Sequence, residues 1–139
     1  TALLDAIGSA VQKEINVQRN LPEEARAGKV IFVIITDGYE NSSTEYSYRH
    51  IRKMIEHEPK KYGWEFMFLG ANIDAVSEGA RFGIRADRAV RYKSDSEGTA
   101  LNYACVSDAI TGMRCMTEGE EMDGSWMEAI VEDVAKRGV

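Results

Sequence analysis

The stretch Val30-Ile31-Phe32-Val33-Ile34-Ile35 places six apolar residues in a row and ends abruptly in Thr36-Asp37-Gly38. A β-strand that is apolar on both faces has to be covered on both faces, which is typical of a central strand in a parallel sheet between helices. We therefore expect an α/β protein. Ligands of open sheets of this kind bind outside the carboxyl ends of the strands, so Asp37 is the first candidate functional residue.

The composition is that of an ordinary globular domain. The chain has 139 residues, of which 44% are hydrophobic and 29% are charged, and this length supports one hydrophobic core. No apolar stretch approaches the roughly 20 residues that cross a bilayer, so we expect no membrane span. The formal net charge of -6 argues against nucleic acid as a partner, because binding to nucleic acid needs a basic field.

The two cysteines, Cys105 and Cys115, fall in a segment that is predicted to form one helix. Ten positions along a helix separate them by about 15 Å, which is too far for a disulfide. Neither residue belongs to a CxxC motif or to a Cys/His cluster, so metal or redox chemistry is not expected of them. Two reduced, partly buried thiols fit a reducing compartment, and we expect the chain to be cytoplasmic.

The first 36 residues predict a helix followed by a strand. Residues 1–16 carry apolar side chains at helical spacing, and Thr1 is a plausible N-cap of that helix. A polar connector follows, and the apolar strand then runs from Lys29 or Val30 to Thr36.

A second helix is predicted after Gly38. Ser42 and Glu45 have the spacing of a capping box, which predicts that the helix begins there, and Pro59 and Gly63 are expected to end it. Its inward side chains are expected to be Tyr48, Ile51 and Ile55.

The pattern then repeats with shorter elements. Residues 64–70 read as a second strand, and Asn72 or Asp74 caps a short helix that ends at Gly83. Residues 88–92 alternate charge with bulk, which suits the edge strand of a sheet. We expect this strand to end the sheet.

The next predicted element is a helix capped by Ser94 or Asp95, with one side formed by Tyr103, Val106, Ile110 and Met113. We divide the chain into a domain of residues 1–116 and a segment of residues 117–139. This segment is an acidic linker and a helical tail, which is expected to pack on a neighbour. The apolar residues of the tail are Trp126, Ile130 and Val134.

Three segments carry a resemblance to a known family. Thr1-Ala2-Leu3-Leu4-Asp5-Ala6-Ile7, then Val33-Ile34-Ile35-Thr36-Asp37-Gly38 with Asn41, and then Phe68-Leu69-Gly70-Ala71 resemble the later part of a von Willebrand factor type A (vWA) domain of the bacterial intracellular branch. The resemblance spans residues 1–116. It implies a partial doubly wound, Rossmann-like parallel sheet with helices on both faces, from which the first strands of the family are missing.

The resemblance also implies a metal site. In the family, a metal-ion-dependent adhesion site (MIDAS) binds a divalent cation, usually Mg²⁺, through an Asp-x-Ser-x-Ser loop, a Thr and a further Asp. Thr1 matches the Thr and Asp37 matches the last Asp, whereas the Asp-x-Ser-x-Ser loop is absent from this sequence. Because Mg²⁺ requires near-octahedral oxygen coordination, two ligands form an incomplete site, and we expect no tightly bound Mg²⁺ in this chain alone.

Simpler local roles remain open for these residues. Thr1 can act only as an N-cap, Asp37 and Gly38 can form a turn, and Asn41 and Ser42 can cap a helix. We expect exposed histidines at two positions and packed aromatic residues at four others, namely His50 and His57, and Tyr46, Tyr48, Trp64 and Phe66.

The leading functional hypothesis is a non-enzymatic binding module for protein–protein interaction. The resemblance implies that the partner is a protein, which commonly donates an acidic side chain to the bound cation. An enzyme of the small α/β hydrolase type is the alternative, although the sequence has no GxGxxG, no Walker A motif and no GxSxG. If Thr1 were a processed terminus, it could also be an N-terminal nucleophile.

A third hypothesis is structural. Without the strands that flank it in the family, the strand at 30–36 would have an open edge, which is a template for pairing with another copy. We therefore expect a homo-oligomer, in which either this strand or the tail around Trp126 is buried between copies.

Overall fold

The structure is a computed structural model that describes residues 2–117 and 120–138, and it leaves the side chains of residues 58–62 undescribed. Within these residues the chain forms a three-stranded sheet with the order β1-β2-β3. Both pairs of neighbouring strands are parallel. The strands are β1 (Ile31–Thr36), β2 (Glu65–Gly70) and β3 (Ala89–Arg91). The expected α/β class is confirmed.

Five α-helices are found in the described part of the chain; the first four alternate with the strands, and the fifth follows the fourth. They are α1 (Leu3–Arg19), α2 (Tyr48–Tyr62), α3 (Ala75–Arg81), α4 (Ser96–Arg114) and α5 (Glu128–Arg137). Short 3-10 turns lie at Glu23–Ala25, Ala86–Arg88 and Gly124–Met127.

The central strand is β2, and its alternating side chains divide the core into two clusters. Phe66 and Phe68 point to one face and belong to the first cluster, whereas Met67 and Leu69 point to the other face and belong to the second. Met67, Phe68 and Leu69 have no exposed surface. The fold is therefore built outward from a strand that is sealed on both faces.

The first cluster joins one face of the sheet to α1, α2 and α3. Its helical residues include Leu4, Ile7 and Val11 of α1, and Ile51 and Ile55 of α2, all of them buried. The second cluster joins the opposite face to α4 and α5, with Cys105, Ala109 and Met113 from α4 and Ile130 from α5. Helices thus cover both faces of the sheet, as expected.

The prediction that residues 30–36 form the central strand is wrong. β1 lies at the edge of the sheet, and its residues are only partly buried, with Ile35 40% exposed. The apolar run correctly indicated helices on both faces, since Phe32 and Ile34 pack on the first cluster and Ile31 and Val33 on the second. An apolar run shows that both faces of a strand are covered, but it carries no information about which strands lie beside it. The run therefore could not distinguish an edge strand from a central one.

The predicted start of the second helix is also wrong. α2 begins at Tyr48, and residues 42–45 lie in a loop in which the backbone N–H groups of Thr44 and Glu45 donate to Asp5. The capping-box spacing therefore marks a loop that is held by a distant carboxylate. At its other end α2 continues past position 59 to Tyr62, and Gly63 then adopts a φ of +70°.

The caps of the later helices match one of the two residues offered for each. Asp74 caps α3 by accepting from the Ser77 N–H, and Asp95 caps α4 by accepting from the Gly98 N–H at 2.7 Å. The inward face predicted for α4 is partly wrong. Tyr103 is 64% exposed, and the buried face instead contains Asn102 and Cys105.

The C-terminal segment packs against its own sheet. Trp126 is 9% exposed, and its indole Nε1–H donates to the backbone carbonyl of Asp87 at 2.9 Å. Met122, Trp126 and Ile130 all belong to the second cluster. The side chain of Trp126, which was expected to pack on a neighbouring molecule, therefore packs within its own chain.

Other expectations concern single side chains. Cys105 and Cys115 are both free, the first buried and the second exposed. His50 and His57 are exposed, whereas Trp64 and Phe66 are buried, as expected. Among the described residues, no helix combines the length and the apolar character that crossing a bilayer would require.

Two glycines of α4 provide a matched test of this packing. A Cβ at Gly98 would collide with the backbone carbonyl of Lys93, whereas a Cβ at Gly112 would meet nothing within 4 Å. We expect Gly98→Ala to lower the free energy of unfolding by about 2 kcal/mol or more, because a backbone atom cannot move aside cheaply. Gly112→Ala should instead raise it by about 0.5 to 1 kcal/mol. Urea unfolding of both variants measures the difference, and equal effects would contradict the placement of the loop before α4.

Candidate functional site

The carboxyl ends of the three strands lead into three loops on one side of the molecule. These loops comprise residues 37–47 after β1, 71–74 after β2 and 92–95 after β3. We call this side the carboxyl edge. Parallel strands bring their ends to a common edge, which is where such sheets bind ligands.

The first turn of α1 is fastened to the loop after β1 by Asp5. Its carboxylate accepts hydrogen bonds from the backbone N–H groups of Thr44, Glu45 and Tyr46 at 2.9 to 3.0 Å. The backbone N–H of Asp5 in turn donates to Ser43 Oγ at 3.0 Å. The beginning of α1 and the loop that follows Asp37 are therefore one connected unit at the carboxyl edge.

These bonds lower the pKa of the Asp5 carboxyl. The N–H of Thr44 has the largest effect, those of Tyr46 and Glu45 add to it, and burial opposes it. Donors that point at a carboxylate stabilise its charged form.

Glu40 fastens the same loop from its other side. Its Oε1 accepts from the backbone N–H of Ser43 at 3.0 Å and from that of Leu4 at 3.4 Å. Burial alone would raise the pKa of Glu40, but hydrogen bonds from Ser43 and Leu4 outweigh it, so the pKa is lowered. Asp5 and Glu40 lie 35 positions apart in sequence and hold one loop together.

The second and third loops are also organised by internal bonds. The hydroxyl of Tyr39 accepts from the backbone N–H of Asp74 at 3.2 Å, which links the first loop to the second. Asn72 adopts a φ of +60° in the tight turn after β2. In the third loop, Asp95 accepts from Arg137 of α5 at 2.7 Å, and Arg137 holds the pKa of Asp95 at about 2.

Asp37 differs from these carboxylates. It is exposed directly after β1, and within the described residues its carboxylate forms no hydrogen bond or ion pair. Its charge is close enough to Tyr92, the residue after β3, to raise the pKa of that phenol, although burial of Tyr92 is the larger cause. The carboxyl edge thus contains a negatively charged carboxylate that has no hydrogen-bond or ion-pair partner in the described residues. It lies beside three loops that are held by internal hydrogen bonds.

The other predicted ligand, Thr1, lies outside the described residues. Leu4 and Asp5, which follow it in the sequence, contact the loop of residues 40–46. Asn41 and Ser42, which were expected to cap a helix, lie in that same loop and not at a helix terminus.

No group of three or more His, Cys, Asp or Glu side chains with metal-binding geometry occurs within residues 2–117 and 120–138. Since Mg²⁺ takes six oxygen ligands and retains some waters, Asp37 can contribute part of a coordination shell and not a whole one. The described residues therefore do not by themselves fit a Mg²⁺ site.

A concave surface lies at the opposite edge of the sheet. A groove of about 1730 Å³ is lined by the starts of β1 and β2 and by the end of α4. Its most buried charge, Arg88, is already paired with Glu65 at 3.0 Å. Lys29 and Arg114 also line the groove, and their charges are not paired within the described residues. Volume and predicted chemistry therefore point to different edges. The candidate site is placed at the carboxyl edge because ligands of parallel sheets bind there.

Sequence reasoning found Asp37 but missed the roles of Asp5 and Glu40. Asp5 resembled an ordinary first-turn acid of a helix, and Glu40 an ordinary loop residue. Asp5 accepts from groups about 40 positions away, and Glu40 accepts from Leu4, 36 positions away, as well as from nearby Ser43. No local pattern encodes the distant pairs.

Comparisons of the chain with protein-family models, with curated proteins and with solved structures gave no match.

The Asp5 cluster predicts a pH-dependent contribution to stability. Asp5→Asn should destabilise the protein at pH 7, because the amide cannot accept all three N–H bonds with a full negative charge. The folded-state pKa of Asp5 lies below its unfolded value of about 3.9. Its contribution is therefore complete above that value and is lost as the pH falls through the folded-state pKa.

Urea unfolding at pH 7, 5 and 3 tests this prediction. The difference in free energy of unfolding between wild type and Asp5→Asn should be largest at pH 7 and 5 and smaller at pH 3. Glu132→Gln, at an exposed position of α5, is the control and should show little difference at any pH. A gap for Asp5→Asn that grows towards pH 3 would contradict the assigned bonds.

Proposed function

We propose that this chain is a non-enzymatic, vWA-like binding module whose carboxyl edge recognises a protein partner. The observation that carries the proposal is the uncommitted carboxylate of Asp37 at the end of β1. Asp5, Glu40, Asp74 and Asp95 all have internal partners at this edge, whereas the carboxylates of Asp37 and Glu45 are not paired within the described residues. Of these two, Asp37 directly follows a strand, where ligands of parallel sheets bind.

The finer description of the fold belongs to the same proposal. We propose that the sheet is part of a doubly wound, Rossmann-like vWA sheet. Support comes from the resemblance at residues 1–116, from the all-parallel strand order and from helices on both faces. The unpaired edge of β1 is compatible with further strands.

The role of a cation is proposed with a clear limit. Asp37 would be one oxygen ligand of Mg²⁺ in an incomplete MIDAS, and Thr1 would be another. The remaining ligands would come from outside the described residues, by way of an additional segment or a partner. When bound, the cation would supply an electrophilic centre for an acidic group. In this chain alone Mg²⁺ binding should be weak.

Binding rather than catalysis is proposed because the sequence lacks the motifs of nucleotide-binding and nucleophilic enzymes. A cytoplasmic location is part of the proposal and is supported by two unpaired thiols. Fold alone favours neither binding nor catalysis.

Weak cation binding at Asp37 can be tested with Mn²⁺, a paramagnetic substitute for Mg²⁺. Micromolar Mn²⁺ should broaden the amide NMR signals of the loops at 37–41 and 71–74, and excess Mg²⁺ should reverse the effect. Asp37→Asn should abolish the broadening. Asp108→Asn, which removes an exposed carboxylate on α4, should leave it unchanged. Broadening that persists in Asp37→Asn would remove Asp37 from the site.

Partner binding at the carboxyl edge can be tested by photo-crosslinking in cells. A photoreactive residue is placed either at Tyr39, which is 52% exposed at this edge, or at Val17, which is 44% exposed near the far end of α1. We expect discrete protein adducts from position 39, several-fold fewer when Asp37→Asn is added, and none from position 17. Adducts that are equal at both positions, or that do not respond to Asp37→Asn, would contradict the proposal.

A further inference from the structure

We propose that the open edge of β1 pairs with the same edge of a second copy of this chain, antiparallel, about a two-fold axis that passes through Val33. The pairing would join two three-stranded sheets into one six-stranded sheet. The inference goes beyond the proposed function and makes a different use of the same edge. A second copy, instead of further strands, would lie beside β1, and Asp37 would contact Lys29 of that copy.

The hydrogen-bonding direction of β1 identifies the residues that are available. The carbonyls of Val30 and Thr36 accept from Glu65 and Ala71, both at 2.9 Å, so the even-numbered residues of β1 direct their backbone groups towards β2. Since backbone groups alternate along a strand, the N–H and C=O groups of Ile31, Val33 and Ile35 point away from the sheet. β1 is an outer strand, so these groups have no strand beside them in the described structure.

The side chains of β1 also lack complete cover. Ile31, Phe32, Val33 and Ile34 are partly buried, whereas Met67, Phe68 and Leu69 of β2 are sealed. An apolar strand of six residues with an unpaired edge is a strong template for strand addition. A strand added beside β1 would cover both the backbone groups and the flanks of these side chains.

Symmetry limits how two copies can pair. A two-fold axis between antiparallel strands keeps each residue on its own face of the sheet, so odd-numbered residues must lie opposite odd-numbered residues. Centring the axis on Val33 places Val33 opposite itself and Ile31 opposite Ile35. All of the outward-pointing backbone groups are then paired with one another.

Charge selects this register over its neighbours. Just beyond the ladder, the Val33-centred register places Lys29 of each copy opposite Asp37 of the other, and both side chains are exposed. Centring on Ile34 would instead place Asp37 opposite Ile31, and centring on Phe32 would place Lys29 opposite Ile35. Only the first arrangement gives two opposite-charge pairs, which stabilise cross-strand contacts.

This self-complementarity argues for a second copy as the occupant. An isologous interface requires that one patch match itself, and this strand carries a positive residue before its apolar stretch and a negative residue after it. Trp126 of the tail is not available for a contact between copies, because it is buried in the second cluster of its own chain.

Sedimentation equilibrium of four chains, the wild type, two single variants and one double variant, tests the proposal. The wild type should dimerise at tens of micromolar. Lys29→Asp and Asp37→Lys should each weaken dimerisation about tenfold, because two attractive pairs become two repulsive ones. The double exchange, Lys29→Asp with Asp37→Lys, should restore the wild-type dissociation constant. Far-UV circular dichroism confirms that all four chains are folded.

A monomeric wild type at about 100 µM would overturn the proposal. A dimer that is indifferent to the single charge reversals, or that the double exchange fails to restore, would overturn it as well. The double exchange also separates this inference from the proposed function. It should recover the dimer while losing the Mn²⁺ response, because Asp37 is absent from it.

Discussion

The sealing of β2 on both faces is the constraint on which the rest of the structure depends. Met67 and Phe68 are neighbours on β2 that point to opposite faces of the sheet, and both are fully buried. The strand therefore needs a layer of helices on each face. The first cluster supplies α1 to α3 and the second supplies α4 and α5. Once these layers are in place, the parallel strands deliver their three following loops to a common edge. The candidate site is therefore a geometrical result of how the core is divided.

The same constraint explains which features could be predicted from the sequence. Apolar runs, one alternating segment and helical spacing correctly predicted three strands, helices on both faces and the inward positions of Ile51 and Ile55. The lateral position of β1 could not be predicted, because an apolar run reports what lies above and below a strand and not what lies beside it. In α4, the buried face includes the polar residue Asn102, so the apolar pattern wrongly assigned Tyr103 to that face.

At the carboxyl edge, hydrogen bonds between residues close in sequence could be predicted, whereas hydrogen bonds between distant residues could not. The capping of α3 and α4 by Asp74 and Asp95 follows from short spacing, and both caps form. The bonds from Asp5 to residues 44–46 depend on the tertiary fold, and they changed the role of the apparent capping box at Ser42. A carboxylate occupied in this way is removed from ligand binding. The structure therefore adds one fact about Asp37: its carboxylate is not hydrogen-bonded within the described residues, whereas those of Asp5, Glu40, Asp74 and Asp95 are.

The two tryptophans are distributed in a way that has a practical consequence. Trp64 lies in the first cluster and Trp126 in the second, and they are the two tryptophans of the chain. Each indole thus reports on one helical layer, and their combined emission averages over both sides of the sheet. Replacing Trp64 by Phe would leave a fluorophore that senses the layer of α4 and α5 alone. Whether the two layers come apart together or in succession then becomes a question that intrinsic fluorescence can answer.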